Sequence, residues 1–137
     1  MDESESQAEA YLAEAWTTLE GARILFEARE DAGSARVVNN AYAALEQALS
    51  AGIAASGEDV PRRHRQKVLD FFDLYEDDEL QSIRLKWQSR RESARYVDFK
   101  GAELSVPEDV FDRDDAEKAL NDAEPVLTFV DSILDAT

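Results

Sequence analysis

Two short runs hold most of the residues that could grip an anion. The first is Pro61-Arg62-Arg63-His64-Arg65-Gln66-Lys67. The second is Ser89-Arg90-Arg91-Glu92-Ser93-Ala94-Arg95-Tyr96. Guanidinium groups bind phosphate through paired hydrogen bonds, so both runs suit a phosphate-bearing ligand. The local charge balance agrees. Residues 61–100 carry ten bases and eight acids, a net of +2, whereas the rest of the chain sums to −18. A solvated helix face, balanced by acids across the fold, is the plainer account of the same residues. His64, the single histidine, sits amid Arg62, Arg63 and Arg65. It reads as part of a basic surface; a proton-transfer role is the alternative.

Other chemistries are poorly supplied. With no cysteine, the chain has no disulfide, thiolate metal site or cysteine nucleophile. One histidine rules out a multi-histidine metal site and would have to serve alone as the base of a serine triad. Glu14, Glu20, Glu27 and Glu30 could suggest a carboxylate metal centre, but the Glu-x-x-His pairs of di-iron bundles are missing. Five glycines form neither a Walker-type loop nor GxGxxG. The expectation is therefore no metal and no cofactor.

The overall charge is −16, from 31 acids and 15 bases across 137 residues. Eleven of the bases are Arg and four are Lys. A chain so acidic and so poor in Lys suits a salt-rich cytoplasm, where a Debye length of about 3 Å at 1 M salt screens self-repulsion. An acidic tail or nucleic-acid mimic is the rival, but the acids are spread along the whole chain. No apolar run approaches the roughly 20 residues of a membrane span, and the first turn is acidic, unlike a signal peptide. The expectation is a cytoplasmic protein with no membrane contact.

The elements that must position these residues read as helices. A single domain over 1–137 is expected, since domains commonly run about 100–150 residues. Residues 1–6 read as a frayed start. Leu12, Ala15, Trp16, Leu19, Ala22, Leu25 and Phe26 form one stripe of a helix over 8–29. Gly33 can end it and Ser34 can cap the next. Val38, Tyr42, Leu45, Leu49 and Ile53 stripe a second helix over 35–55. A third, 62–75, carries Val68, Leu69, Phe71, Phe72 and Tyr75. A fourth, 79–98, carries Leu80, Ile83, Leu85, Trp87, Ala94 and Val97. A loop over 99–111 leads to a last helix opened by acids at 112–115. Pro125 predicts a kink or break in it near Asp122. No strand is expected. The fold class is all-α, a four- to five-helix up-down antiparallel bundle.

Position on the fourth helix sharpens the candidate site. With Leu80 at zero and about 100° per residue, Trp87, Ala94 and Ile83 fall within about 60° of it. Arg91 falls at about 20°, inside that apolar face. A charge there needs a partner or a polar cavity. Either a carboxylate of another helix pairs with it, or it lines a cleft or subunit interface where an anion binds. Tyr96 is either a packing residue at the helix end or a hydroxyl that orients a phosphate or accepts a nucleotidyl group.

The run Arg91-Glu92-Ser93-Ala94-Arg95-Tyr96 resembles the R-x-x-A-D-Y signature of small prokaryotic HEPN-domain proteins. The stretch from Ala35-Arg36-Val37-Val38-Asn39-Asn40-Ala41-Tyr42 through Leu49 is similar to their Ala- and Tyr-rich second helix. The basic run leading into Val68-Leu69-Asp70-Phe71-Phe72, and the final Ala- and Glu-containing helix, are similar too. The resemblance spans about 8–135. It implies a helical bundle that forms a homodimer. Ribonuclease members of the family use an Arg, four to six residues, then a His. Two copies meet across the dimer and cut RNA without metal, the 2′-hydroxyl acting as nucleophile. Many are toxins paired with a minimal nucleotidyltransferase. Carried onto this chain, Arg91 is the phosphate-binding Arg; the two basic runs themselves offer Arg90, Arg95, Arg62, Arg63 and Arg65 as further phosphate contacts. Asn39 or Asn40 is the polar residue of the second helix facing that pocket. Tyr96 stands where the His is expected. With an unperturbed pKa near 10, a Tyr is a poor general base. The resemblance therefore implies either a toxin-like, ribonuclease-related protein acting on RNA or nucleotide, or a non-catalytic binding module.

Overall fold

The structure, a computed structural model, describes residues 2–28, 33–83 and 111–136, and the backbone of 98–100 and 103–105. It is an all-α bundle. Helix α1 runs Glu3–Ala28, α2 Ser34–Ala55 and α3 His64–Leu74. Residues 78–83 form the described part of α4. Helix α5 runs Arg113–Asp135. No described helix is long and apolar enough to cross a membrane.

The starts of the helices follow local chemistry. Fraying was expected over 1–6, yet α1 begins at Glu3, because the Asp2 carboxylate accepts a hydrogen bond from the Glu5 N–H at 2.8 Å. Ser34 is not the cap of α2. Gly33 takes that position with φ 83°, a left-handed conformation that costs glycine little, and Ser34 is buried as the first helical residue. Helix α5 opens with a reciprocal capping box. Asp112 accepts from the Asp115 N–H at 3.0 Å and Asp115 accepts from the Asp112 N–H at 3.1 Å. The bond from the Asp115 backbone holds the Asp112 carboxyl below its usual 3.8. A lowered carboxyl pKa stabilises the cap above the ordinary carboxylate range and loses that effect as pH falls through it.

Helix α2 is the centre of the bundle and packs against α1, α3 and α5. Val38, Tyr42, Leu45, Leu49 and Ile53, the expected stripe, are all buried. Burying one such side chain stabilises by about 1.5–3 kcal/mol. Leu12, Leu19, Leu120, Leu127 and Val130 meet it from α1 and α5, and Leu80 and Ile83 of α4 join the same core. Trp16 packs at its edge, while Leu69, expected inward, is 37% exposed. Arg113 ties α5 to the end of α1. Its guanidinium lies 3.9 Å from the Phe26 ring centroid and donates to the Phe26 carbonyl at 2.9 Å.

Two expectations fail here. Helix α5 continues through Pro125, so of the expected kink or break near Asp122 the break is absent. An internal Pro costs about 3 kcal/mol, but the flanking Ala123, Val126, Leu127 and Val130 are all buried and outweigh it. The stretch 99–111 is not wholly loop. Antiparallel strands β1 (Asp98–Lys100) and β2 (Glu103–Ser105) pair with Phe99 opposite Leu104.

Helices α2 and α3 approach closely at Gly52. A Cβ on Gly52 would lie 2.5 Å from the Phe71 ring, so the two helices meet where α2 has no side chain. Gly21, in α1, faces open space. Gly52→Ala should therefore cost about 1–3 kcal/mol through overpacking. Gly21→Ala should gain roughly 0.5–1 kcal/mol through helix propensity. Urea unfolding of both variants checks this pair of opposite signs.

Candidate functional site

The basic run Arg62–Lys67 straddles the start of α3. The helix begins at His64, two residues later than the pattern suggests, with Arg63 as an extended N-cap that offers no side-chain cap. Arg62, Arg63 and Arg65 are exposed. A helix N-terminus already carries about half a positive charge. Three exposed guanidiniums around it create an electropositive surface on an otherwise acidic chain, suited to a phosphate oxygen.

His64 does not share that outward surface. One carboxylate oxygen of Glu46, on α2, lies 3.2 Å from His64 Nδ1 and 3.8 Å from Lys67 Nζ. All three side chains are mostly buried, with His64 the most open at 28%. Glu46 thus draws the inward pair of α3 onto α2 and leaves the arginines outside. Nothing in the spacing of the sequence marks Glu46, because its partners lie on a separate helix.

Asn39 and Asn40 are both half-buried on α2. Seven residues separate Asn39 from Glu46. That is about 10 Å along the axis and nearly the same face, so Asn39 lies on the side that α3 approaches. Asn40 is turned about 100° further round. It shares its face with Gln47, whose buried Oε1 has no hydrogen-bond partner among the described residues.

At its other end α3 is anchored by Tyr75. The Tyr75 hydroxyl donates to the Gly52 carbonyl at 2.6 Å, and its ring packs on Phe71 and on Phe129 of α5 with centroids 5.0 and 5.8 Å away. Contacts therefore advance along both helices together, from Glu46 with His64 to Gly52 with Tyr75. The first turn of α3 is thereby held level with the middle of α2.

A family model for the HEPN domain matches residues 8–133. The chain belongs to the HEPN-domain family. No curated protein matches it closely enough to lend it an activity. In this HEPN domain, Arg90, Arg91, Arg95 and Tyr96 lie outside the described residues. Of the candidate residues, the structure brings Arg62, Arg63 and Arg65 together at one helix start and sets Asn39 on the neighbouring face of α2. Among the described residues, no group of three or more His, Asp or Glu is placed to hold a metal ion.

Burial, and secondarily the charge of Glu58, raise the Tyr75 pKa above its usual 10.0. Because the folded value is the higher one, the stabilisation is complete below pH 10 and is lost as pH rises through the folded value. Ultraviolet titration of the wild type beside Tyr75→Phe should show the variant lacking one phenol that ionises above the usual 10.0. The wild type should lose stability in that alkaline range more steeply than the variant.

Proposed function

We propose that this HEPN protein binds RNA or a nucleotide through its phosphates, at a cleft formed by two copies of the chain. Arg91 is the central phosphate contact, and Arg62, Arg63, Arg65, Arg90 and Arg95 extend the positive surface. Asn39 or Asn40 contributes from α2. The biological role is that of a toxin-like, metal-independent, ribonuclease-related partner of a nucleotidyltransferase antitoxin. The observation that carries this reading is the start of α3, where three exposed arginines surround a helix N-terminus with no side-chain cap. Phosphate contacts of this kind set position and affinity, not base preference.

The catalytic step would begin with attack of a 2′-hydroxyl oxygen on the adjacent phosphorus. The 2′-hydroxyl loses its proton to a base, a cyclic phosphate forms and the 5′-oxygen leaves with a proton. Tyr96 is the residue placed by the motif to exchange a proton or hold the phosphate. Arg95 stands where the motif carries Asp, so the local charge is more positive than the motif implies.

A second reading has its own support. The protein is a binding module without the nuclease step, because Tyr96 replaces the motif His and the one His in the chain, His64, is drawn onto Glu46. RNA cleavage and binding separate the two. Wild type, Arg91→Ala and Tyr96→Phe are compared at low and high salt, with the dimer checked by sedimentation. Both readings predict about 10- to 150-fold weaker RNA binding in Arg91→Ala, since a hydrogen bond to a charged group contributes about 1.5–3 kcal/mol. Cleavage by the wild type that is lost in Arg91→Ala, with the dimer intact, supports the ribonuclease. Binding without cleavage at any salt supports the module. No RNA or nucleotide binding by the wild type would sink both.

A further inference from the structure

The bases at the start of α3 do not all face one way. His64 and Lys67 are three residues apart, on one side of the first turn, whereas Arg65 is turned about 100° from His64. Arg62, Arg63 and Arg65 are exposed. His64 and Lys67 meet a single carboxylate oxygen of Glu46 on α2, at 3.2 and 3.8 Å. We propose that Glu46 is a positioning residue for RNA binding. It fixes the first turn of α3 so that the three arginines meet phosphates in one arrangement, and it removes Lys67 from the phosphate contacts. This role rests on the phosphate-binding reading of the α3 start and deepens it.

Local contacts do little to fix that turn. Arg63 is the N-cap and makes no side-chain cap hydrogen bond. The hydrogen bond from Gln66 to Asp70 stays within the helix. Val68 is buried, but apolar burial is non-directional and does not orient the charged residues before it. The other end of α3 is fixed separately, where Tyr75 donates to the Gly52 carbonyl and Phe71 fills the space beside Gly52. Glu46 is the charged tie from α2 to the first turn.

The sign of the charge separates this role from a bystander's. An acid beside a phosphate site opposes binding by repulsion, an effect that salt screens. A positioning acid does the reverse. The Glu46 and Lys67 side chains are only 13% and 17% exposed, so the pair is turned away from a ligand on the surface. Without the carboxylate, Lys67 loses this partner while mostly buried, which is costly, and the first turn loses its fixed seat on α2. The arginines must then be ordered by RNA at the moment of binding, and that ordering lowers affinity. The loss is the same factor at every salt concentration, because the phosphate contacts in the finished complex are unchanged.

The test measures the affinity of the full chain for a short single-stranded RNA of mixed sequence across a range of salt. Glu46→Gln keeps the size of the side chain and removes its charge. It should bind about tenfold more weakly, as when side chains must be ordered on binding, with the wild-type salt slope. Glu46→Asp, which keeps the charge on a shorter arm, should recover part of that loss. Asp73→Asn removes the same charge from an exposed place on α3 and should bind slightly more tightly at low salt. Lys67→Met should keep the wild-type slope, whereas Arg65→Ala should lower it by about 0.7. Circular dichroism checks that each variant is folded; where Glu46→Gln is not, the slope of Lys67→Met carries the test. Unchanged or tighter binding by folded Glu46→Gln overturns the proposal and leaves Glu46 a bystander or a repelling charge. So does a slope that falls in Lys67→Met as it does in Arg65→Ala. Both outcomes leave the arginines as phosphate contacts. A wild type that binds no RNA, or binds it with a slope that Arg65→Ala does not change, overturns the phosphate-binding reading and this role with it.

Discussion

Helix α3 meets α2 closely where position 52 carries no side chain. The Phe71 ring occupies the space a Cβ would need, 2.5 Å from its place, and the Tyr75 hydroxyl reaches the Gly52 carbonyl beside it. Two ends follow from that one contact. At the N-terminal end, α3 is held where Glu46 meets His64 and Lys67, and the arginines of the first turn are left outward. At the C-terminal end, Phe71 and Tyr75 brace Phe129 of α5. The basic surface and the packing of α3 on α5 thus share the same close approach.

The close approach also explains why the one histidine is poorly placed to lead the chemistry. Its neighbours in sequence are all cations, which suggests a surface residue. Its neighbour in space is a carboxylate, which turns it inward. The sequence thus places the histidine on a basic surface, whereas the structure draws it inward onto Glu46. In the proposed function the phosphate contacts are therefore left to guanidinium groups, which bind and orient without exchanging protons.

Much of the bundle was legible in the sequence because helical periodicity reports burial directly. The stripe from Val38 to Ile53 and the pair Leu80 and Ile83 are core, as their spacing implies. What was not legible depends on groups distant in sequence. Gly52 sits in an Ala-rich helix with nothing local to mark it as a contact point. Glu46 carries no local mark of the contact it makes with His64 and Lys67 of α3. Pro125 reads as a breaker by local rules, but the burial of the turns around it is a tertiary effect. The cap of α1 at Asp2 is a local signal, although chain ends commonly fray. Of the candidate site, the exposure of Arg62, Arg63 and Arg65 follows the pattern, whereas the motif around Arg91 lies outside the described residues.

The central claim is that the start of α3 is a phosphate-contacting surface. The most direct measurement is the salt dependence of affinity for a single-stranded RNA. It compares the wild type with a variant in which Arg62, Arg63 and Arg65 are all Ala. Each phosphate contact adds about 0.7 to the slope of log affinity against log salt for single strands. Loss of three contacts should therefore lower the slope by about 2 and weaken binding most at low salt. An unchanged slope and affinity, with the helix content intact, would contradict the account and place the RNA elsewhere on the protein.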